Sequence, residues 1–267
     1  MSYRLIGAAF SDPGAVRQKN EDNFNLFGNI RTGSGKYSCT AEISDGRISL
    51  AAVCDGIGGE AAGEVASEMA AKGLCVLPQK AGREGIDRIL KDINLKIAAS
   101  AKEMGNKMGC TFAGVYFEND RAFICNVGDS KVFLLRDGSI RQMSLDHTAV
   151  AQQIKMGLIS SEKDAPENIK HTLTQNIGTD PEEFGIEPYH AEEIQLKKKD
   201  VFLICSDGLS DVVDDDEKEI ILSKWRGFCF TTQSSFDALE KTAEELIDTA
   251  LKAGSKDNIT VVIVKVV

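Results

Sequence analysis

The fold is decided by the stretch Ile48-Ser-Leu-Ala-Ala-Val-Cys54, which is followed by Asp55-Gly-Ile-Gly-Gly59. A short apolar run bounded by turn residues predicts a strand that is buried on both faces. This strand delivers the carboxylate of Asp55 to its end, where the glycines let the backbone turn tightly and approach a ligand. We therefore expect Asp55 to lie at one edge of a buried sheet.

Two further aspartates stand at the ends of apolar runs. The run Val201-Phe-Leu-Ile-Cys205 ends in Ser206-Asp207-Gly208, and Asp257-Asn258 precedes the run from Ile259 to Val264. A single Asp-Gly pair most often marks only a turn. Because the arrangement recurs, we predict that the three aspartates converge and that the rest of the chain supports and covers an acidic cluster.

The composition is that of an ordinary soluble globular protein. The chain has 267 residues, of which 42% are hydrophobic and 27% charged. No segment rich in Pro, Gly or Ser divides it, so a single domain over residues 1–267 is expected. The formal charge of −10 argues against general affinity for nucleic acid or for an anionic membrane. Carboxylates that hold metal ions would account for part of this charge.

The seven cysteines and the termini indicate a reducing compartment. The cysteines are odd in number and contain no CxxC pair, so buried free thiols are favoured over disulfides or zinc ligands. The N-terminus lacks the basic start and long apolar region of a signal peptide. No apolar stretch approaches the ~20 residues that span a bilayer. We expect a cytoplasmic protein.

The first half of the chain predicts strands followed by two helices. Leu5 to Phe10 begins with a short apolar run, and Asn23 to Phe27 alternates polar and apolar residues as a half-buried strand does. Residues 29–45, rich in Gly, Ser and Thr, are typical of a surface hairpin or loop. Amphipathic helices are predicted over residues 62–77 and 86–104, and each should cover one face of a sheet.

The second half predicts more strands and a cover. An antiparallel meander of four strands is predicted over 110–117, 122–127, 132–135 and 140–143, with Asp137-Gly138 as a hairpin signal. Residues 146–188 are polar and irregular apart from a helix-like piece at 150–156, and they predict a flap of the kind that often carries recognition. A strand at 201–205, helices near 220–225 and 237–252 and a last strand complete the chain.

This order of elements favours one architecture. It lacks a regular βαβ alternation, so a doubly wound parallel sheet is disfavoured. Two antiparallel sheets packed face to face, with helices on the outside, fit better. We therefore predict the α+β class, as a four-layer α-β-β-α sandwich.

Four aspartates next to apolar runs, Asp55, Asp129, Asp207 and Asp257, indicate a metal site. Hard oxygen ligands suit Mg²⁺, Mn²⁺ or Ca²⁺, and no twelve-residue loop has the EF-hand pattern. Carboxylates from separate strand ends can hold two ions roughly 3.5–4 Å apart, an arrangement that activates water and clamps a phosphate. Arg17 is a candidate to grip that phosphate through its planar guanidinium.

The motifs together resemble the metal-dependent Ser/Thr protein phosphatases of the 2C type, in their compact bacterial form. Each pattern is weak alone, but all occur in the right order and spacing along nearly the whole chain. They are Gly14-Ala-Val-Arg17-Gln-Lys-Asn-Glu21-Asp22, Asp55-Gly-Ile-Gly-Gly59, Gly109-Cys-Thr111, Asn126-Val-Gly-Asp129-Ser130, Asp146-His-Thr148, Cys205-Ser-Asp207-Gly-Leu209 and Asp257-Asn-Ile-Thr-Val-Val. The fold of that family is a pair of antiparallel sheets flanked by helices, which agrees with the pattern above.

The resemblance implies a centre of two Mn²⁺ or Mg²⁺ ions. By position, Asp55 would bridge the ions and the carbonyl of Gly56 would bind one of them. Asp207 and Asp257 would bind the other. Asp129 would form, with Asp207, the weaker third metal site of bacterial members.

The resemblance also implies roles for the N-terminal motif. Arg17 would hold the substrate phosphate, and Glu21 would act through metal-bound water. Asp22 would either assist Glu21 or pair with a neighbour. Asp211 occupies a position that helps to bind a metal in some relatives. The flap would lie beside the site and influence substrate choice.

The implied reaction is hydrolysis of phosphoserine and phosphothreonine by a water that the dinuclear centre activates, without a covalent intermediate. Animal relatives often have His two places after the bridging Asp as a candidate general acid, but here that position is Ile57. Structural or surface roles are expected for His147, His171 and His190. Cys110 stands where Thr is usual, and we expect it to affect packing only.

Two other functions stay open at this point. One is an inactive or weak relative that acts as a phosphoprotein-binding module, although all five acidic positions (21, 55, 129, 207 and 257) are filled. The other is an acidic metal-binding interaction protein without turnover. The expected partners are proteins phosphorylated on Ser or Thr, together with a cognate Ser/Thr kinase by family analogy. We expect a signalling enzyme that is a monomer and binds neither nucleic acid nor membrane.

Overall fold

Strands and helices alternate irregularly along the chain, which the computed structural model describes over residues 3–44, 48–58, 62–78, 80, 82–161, 164–166, 169–182, 184–224 and 232–267. Gly59, Trp225, Cys229 and part of the predicted flap lie outside the described residues.

The strands in chain order are β1 (Leu5–Asp12), β2 (Asn23–Leu26), β3 (Asn29–Ile30), β4 (Tyr37–Ile43), β5 (Ser49–Cys54), β6 (Gly56–Gly58), β7 (Met108–Cys110), β8 (Phe112–Glu118), β9 (Arg121–Val127), β10 (Lys131–Arg136), β11 (Ser139–Gln142), β12 (Tyr189–His190), β13 (Ile194–Gln195), β14 (Val201–Cys205) and β15 (Ile259–Val266). The helices are α1 (Ala62–Gly73), α2 (Arg83–Met104), α3 (Ala149–Lys155), α4 (Asp207–Ser210), α5 (Asp215–Lys224) and α6 (Thr232–Lys252).

Two large antiparallel sheets are built from these strands. The six-stranded sheet has the order β11-β10-β14-β15-β1-β4, and the seven-stranded sheet has the order β12-β9-β8-β5-β2-β3, with β13 also paired to β9. The short strands β6 and β7 pair separately, beside the end of β5. The three strands that the aspartates mark therefore divide between the sheets: β5 lies in the seven-stranded sheet, and β14 and β15 are neighbours in the six-stranded one.

Three apolar layers hold the sheets and helices together. The middle layer lies between the two sheets and includes Phe117 and Phe202, whose rings meet edge to face at 5.3 Å. An outer layer joins the seven-stranded sheet to α1 and α2, and the other joins the six-stranded sheet to α5 and α6. The predicted four-layer α-β-β-α sandwich of the α+β class is confirmed.

Helix α1 packs closely because its buried side is made of small residues. Ala62, Ala66 and Ala70 face the core at intervals of one turn and are at most 1% exposed. Helix α2 buries a stripe of larger residues with the same spacing, including Leu90 and Ile97. The small stripe brings the first turn of α1 against the segment that follows β5, which is where the candidate site lies.

The prediction that β2 is half buried is wrong. All four of its residues are buried, the two asparagines included. The Nδ2 group of Asn25 donates to the carbonyl of Ala71 in α1 at 3.2 Å, which satisfies a polar group under the helix. The alternation of polar and apolar residues predicted one face exposed to solvent. It could not indicate that α1 covers that face.

The surface loop predicted over residues 29–45 also contains regular structure. Residues 37–43 form β4, an edge strand that pairs with β1 and alternates partly buried with exposed residues. Short, polar side chains are common on edge strands, where they limit pairing with other chains. Asp45 lies outside the described residues.

The predicted four-strand meander is wrong, although its two hairpins form. Strands β8 and β9 pair in the seven-stranded sheet, whereas β10 and β11 pair in the six-stranded sheet. Between them the chain crosses from one sheet to the other at Gly128, whose φ of +99° lies in the region that favours glycine. This crossing carries Asp129 to the end of the sandwich where the other aspartates are.

The predicted flap contains the short helix α3 and is anchored at both of its ends. Near its start, the ring atom Nδ1 of His147 accepts from the backbone of Gly128 at 3.1 Å. Near its end, the Oδ1 atom of Asn94 in α2 accepts from the backbone of Gly178 and Thr179 at 2.7 and 3.1 Å. The assignment of residues 1–267 to a single domain stays a prediction.

Four cysteines behave as the composition suggested. Cys54, Cys110, Cys125 and Cys205 are buried free thiols in or beside strands. Across the described helices, no segment is both long enough and apolar enough to cross a lipid bilayer.

Candidate active site

The backbone of Asp55 is fixed where β5 ends. Its N–H donates to the hydroxyl of Thr111 at 3.0 Å, and its carbonyl accepts from the N–H of Thr111 at 2.8 Å. The Thr111 hydroxyl also forms a 2.6 Å hydrogen bond with that of Ser130. Asp55 is therefore attached both to the start of β8 and to the crossing between the sheets.

Asp207 is the first residue of α4, directly after β14. Its carboxyl group lies beside that of Asp55, whose pKa is raised by burial and by the charges of neighbouring aspartates, Asp207 included. Among the described residues, its Oδ1 atom is buried without a hydrogen-bond partner. A buried and unpaired carboxylate oxygen is costly unless a cation or a proton satisfies it, so Asp207 has the properties of a metal ligand.

The Asp257-Asn258 pair holds the N-terminal motif in place. One carboxylate oxygen of Asp257 accepts from the backbone of Asn258 at 2.8 Å, and the other lies 2.6 Å from the guanidinium of Arg17. The Asn258 amide donates to the carbonyls of Pro13 and Lys19 at 2.9 and 2.8 Å. One strand end therefore positions a candidate ligand and also the loop that carries Arg17.

Glu21 and Asp22 follow on the same loop. The Glu21 N–H donates to the side chain of Asn258 at 2.7 Å, and its carbonyl accepts from the hydroxyl of Ser67 in α1 at 2.5 Å. Asp22 is 1% exposed, and its Oδ2 atom accepts from the Ser206 hydroxyl at 2.8 Å. The structure thus gives Asp22 a neighbour to pair with, in the residue next to Asp207.

Gly56 and Gly63 are needed for a close approach between two segments. A Cβ atom at Gly56 would clash with the carbonyl oxygens of Glu21 and of Gly63, which leaves no room for a side chain. A Cβ atom at Gly63 would lie 2.9 Å from the carbonyl oxygen of Gly56 and 3.0 Å from Oε2 of Glu21. The Gly56 carbonyl and the Glu21 carboxylate therefore face the same point at the start of α1.

The carboxylates of the cluster raise one another's pKa. Burial and then the charges of the other aspartates raise the pKa of Asp55 well above its ordinary value. Burial raises the pKa of Asp22 to about 7, although the hydrogen bonds that its carboxylate accepts lower the pKa. Burial and the charge of Asp207 raise the pKa of Asp129 to about 7. Burial also raises the pKa of Glu21 and of Asp207. Bound divalent cations would favour the charged forms instead.

A cleft of about 980 Å³ opens at this end of the sandwich. Arg17, Asp129, Asp207 and Asp257 line it, together with Lys170 and His171 of the predicted flap. The structure therefore brings together residues that are far apart in the chain. It also places flap residues beside them.

His171 is exposed and lines the same cleft. Its Nδ1 atom lies 3.4 Å from a carboxylate oxygen of Asp211, and ligand atoms of His171, Asp207 and Asp211 lie within 4.8 Å of one another. The expectation of a structural or surface role for His171 stays a prediction. The other two histidines pack elsewhere, with His190 2.7 Å from Asp87.

Comparisons with known proteins show which family and which solved structures the chain is similar to. The model of the family described as Protein phosphatase 2C matches residues 37–253. A serine/threonine phosphatase of Listeria welshimeri, stp, is 30% identical over 265 residues, which are 96% of this chain and 93% of that protein. The solved structure of the S. agalactiae serine/threonine phosphatase is similar with a TM-score of 0.80 and 26% identity, covering 98% of this chain and 100% of that chain. The catalytic domain of the phosphatase PstP, solved in complex with two manganese ions, has a TM-score of 0.74 and 30% identity, covering 99% of each chain.

Proposed function

The chain belongs to the protein phosphatase 2C family, and we propose from this membership and from its site that it is a metal-dependent protein serine/threonine phosphatase. Its substrates are proteins phosphorylated on Ser or Thr. The observation that carries the proposal is the meeting of Asp55, Asp207 and Asp257 with Arg17 at one end of the sandwich. A cationic guanidinium beside a carboxylate cluster is suited to a phosphate and to the cations that accompany it.

The donor atoms of the cluster fit hard divalent cations. They are carboxylate and carbonyl oxygens, which Mg²⁺ and Mn²⁺ prefer, and the unpaired Oδ1 atom of Asp207 is one of them. The residues that would hold two ions are Asp55, Gly56, Asp207, Asp257 and Glu21, with Asp129 and Asp207 at a weaker third position. When bound, such cations lower the pKa of a water molecule and neutralise negative charge on the phosphate.

The side chains of the N-terminal loop bind and orient the reactants. Arg17 holds two phosphate oxygens through its planar guanidinium, since it is half exposed and already lies in the cleft. Glu21, fixed by Asn258 and Ser67, orients the water that attacks phosphorus from the side opposite the leaving serine or threonine oxygen. Asp22 supports this loop through Ser206. No covalent intermediate forms, and no side chain is assigned as the general acid, because Ile57 replaces the histidine of animal relatives.

Substrate choice is proposed to depend on the flap. Support comes from Thr148, Val150 and Lys170, which line the same cleft as the carboxylates. A cognate Ser/Thr kinase, a monomeric state, a cytoplasmic location and a lack of nucleic-acid or membrane partners stay predictions.

The proposal is tested by turnover assays with titrated metal. We expect Mn²⁺- or Mg²⁺-dependent hydrolysis of p-nitrophenyl phosphate and of phosphoserine and phosphothreonine peptides, abolished by EDTA and insensitive to okadaic acid. Binding of a phosphopeptide without turnover at any metal concentration would instead support a phosphoprotein-binding module. Metal binding without affinity for phosphopeptides would support an acidic metal-binding protein.

A further inference from the structure

Arg31 is a buried cation that the reaction described above does not use. It is 2% exposed, on the segment that follows β3. The turn between β2 and β3 consists of Phe27 and Gly28, whose φ angles of +53° and +92° are those of a tight two-residue hairpin. The hairpin returns Arg31 alongside β2, where its N–H donates to the side chain of Asn23 at 3.1 Å.

The guanidinium of Arg31 binds three backbone carbonyls. Its Nε atom donates to the carbonyl of Asp22 at 2.7 Å, its Nη2 atom donates to that of Asn20 at 2.8 Å, and its Nη1 atom donates to that of Gly33. Two of these carbonyls belong to the residues on either side of Glu21. A planar group that binds both holds the peptide unit between Asn20 and Glu21 and the one between Asp22 and Asn23 in a fixed relation.

With these contacts, each backbone carbonyl of residues 19–22 accepts a hydrogen bond from a side chain. Asn258 binds the carbonyl of Lys19 and the N–H of Glu21, and Ser67 binds the carbonyl of Glu21. Arg31 donates to the other two carbonyls, those of Asn20 and Asp22. In the part of the chain that the structure describes, the Arg31 guanidinium has carbonyl partners and no directly paired carboxylate. Burying it in this way is expensive, so a role beyond packing is expected.

We propose that Arg31 is a positioning residue, which holds the backbone of Asn20-Glu21-Asp22 so that the Glu21 and Asp22 carboxylates face the cation centre. The proposal rests on the proposed function for its effect on turnover. Its effect on the loop itself does not depend on that function. Arg31 contacts neither the substrate nor the ions in this role and acts only through the loop.

The test uses Arg31→Gln and Arg31→Lys in the full chain, with Arg136→Gln as the matched control. Arg136 is also an arginine whose guanidinium binds a carbonyl, that of Gln195, at 2.8 Å, and it pairs with Asp200 at 2.7 Å, outside the cleft. Three quantities are measured: kcat and KM for p-nitrophenyl phosphate, the affinity for Mn²⁺ by titration calorimetry without substrate, and the hydrogen exchange of amides 20–22.

We expect Arg31→Gln to lower kcat and the Mn²⁺ affinity by about 10- to 100-fold, as is typical when a residue that orients a ligand is lost. KM should stay within about twofold, and amides 20–22 should exchange faster. Arg31→Lys should keep the charge but restore only part of kcat, because an ammonium cannot bind both carbonyls as a planar fork does. Arg136→Gln should change none of the three.

The proposal is overturned if the folded Arg31→Gln or Arg31→Lys protein keeps wild-type exchange at amides 20–22 and wild-type Mn²⁺ affinity. It is equally overturned if Arg136→Gln alters these quantities as much. If the wild-type protein has no turnover, the proposed function fails, and exchange and Mn²⁺ binding still decide the role of Arg31. If Arg31→Gln does not fold, the Arg31→Lys protein supplies the same readings.

Discussion

The guanidinium of Arg17 lies 2.6 Å from a carboxylate oxygen of Asp257, although 240 positions separate the two residues in the chain. The contact joins the loop after β1 to the turn that leads into β15, and these two strands are themselves neighbours. The Arg17 side chain is 54% exposed, so the pair contributes little to stability, and the guanidinium can turn to a phosphate at small cost. This placement favours our proposal that Arg17 binds the phosphate over a role in holding the fold.

Arg17→Ala should therefore weaken substrate binding without unfolding the protein. Loss of hydrogen bonds to a charged group costs about 1.5–3 kcal/mol, which corresponds to a rise in KM of roughly 10- to 100-fold. Steady-state kinetics on a phosphopeptide measures it. Arg121→Ala is the matched control. The Arg121 side chain is also about half exposed, at 53%, and forms an ion pair with Glu193. It lies at the start of β9, whereas the end of β9 leads to Asp129. Unchanged KM and kcat in Arg17→Ala would show that Arg17 is only structural.

Asp55→Ala and Asp207→Ala should each remove most of the activity. Each removes a carboxylate that we propose as a cation ligand, and we expect kcat to fall by more than about 100-fold, the loss typical of removing one preorganised electrostatic partner. Turnover of p-nitrophenyl phosphate with titrated Mn²⁺ measures the effect, and circular dichroism checks folding. Asp216→Ala, an exposed aspartate of α5, is the control. Near-normal turnover in both folded variants would refute the two-metal assignment.

Thr111→Val should reduce activity from a position that touches no substrate. Valine has nearly the same shape as threonine but cannot accept the hydrogen bond from the Asp55 N–H, so the Asp55 backbone loses one of its two hydrogen bonds to residue 111. We expect a loss of about 10- to 100-fold in Mn²⁺ affinity or kcat.

The control for Thr111→Val is Thr242→Val. Thr242 is 1% exposed in α6, and its hydroxyl donates to the carbonyl of Ala238 at 2.7 Å, so the same change removes a buried hydrogen bond far from the cleft. Comparable losses of activity in the two variants would contradict a special role for Thr111.

The metal-free protein should lose stability as the pH rises. Asp129 has a pKa of about 7 in the folded protein against an ordinary value of 3.8, so folding favours its protonated form. Its contribution to stability is therefore fully present below pH 3.8 and is lost as the pH rises to about 7. Each pH unit in that window removes up to about 1.4 kcal/mol from the free energy of unfolding.

Asp129→Asn tests this effect, because asparagine resembles the protonated carboxyl group at every pH. In EDTA at pH 8 the variant should melt at a higher temperature than the wild type, and its Tm should change less between pH 5 and pH 8. Asp92→Asn, at an exposed position of α2, should leave the pH profile unchanged. The prediction is contradicted if the Tm values of the wild type and of Asp129→Asn change by the same amount between pH 5 and pH 8.

Much of the fold was predictable because local patterns determined it. The buried strand β5, the helices α1 and α2 and the hairpin at Asp137-Gly138 follow from apolar spacing and turn residues, and all of them form. The same patterns could not assign the strands to their sheets. Asp129 lies at a crossing between sheets, and no property of the residues around Gly128 separates a crossing from a turn within one meander.

Two signals made side chains of the site predictable: strand ends marked the aspartates, and the family resemblance implied roles for Arg17, Glu21 and Asp22. Asp55, Asp207 and Asp257 stand next to apolar runs, so the sequence alone pointed to their meeting. His171 and Arg31 depend on contacts across the folded protein, His171 with Asp211 and Arg31 with the carbonyls of Asn20 and Asp22. Such contacts leave no periodic signal in the neighbouring residues.

The division of β5 and β14 between the two sheets has a consequence for assembly of the protein. Asp55 comes from one half of the sandwich, and Asp207 and Asp257 come from the other, so a cation held by all three crosslinks the halves. An ion of this kind binds only after the halves have docked, late in folding, and resists their separation. Above its dissociation constant, each tenfold increase in free cation should add about 1.4 kcal/mol per site to the free energy of unfolding.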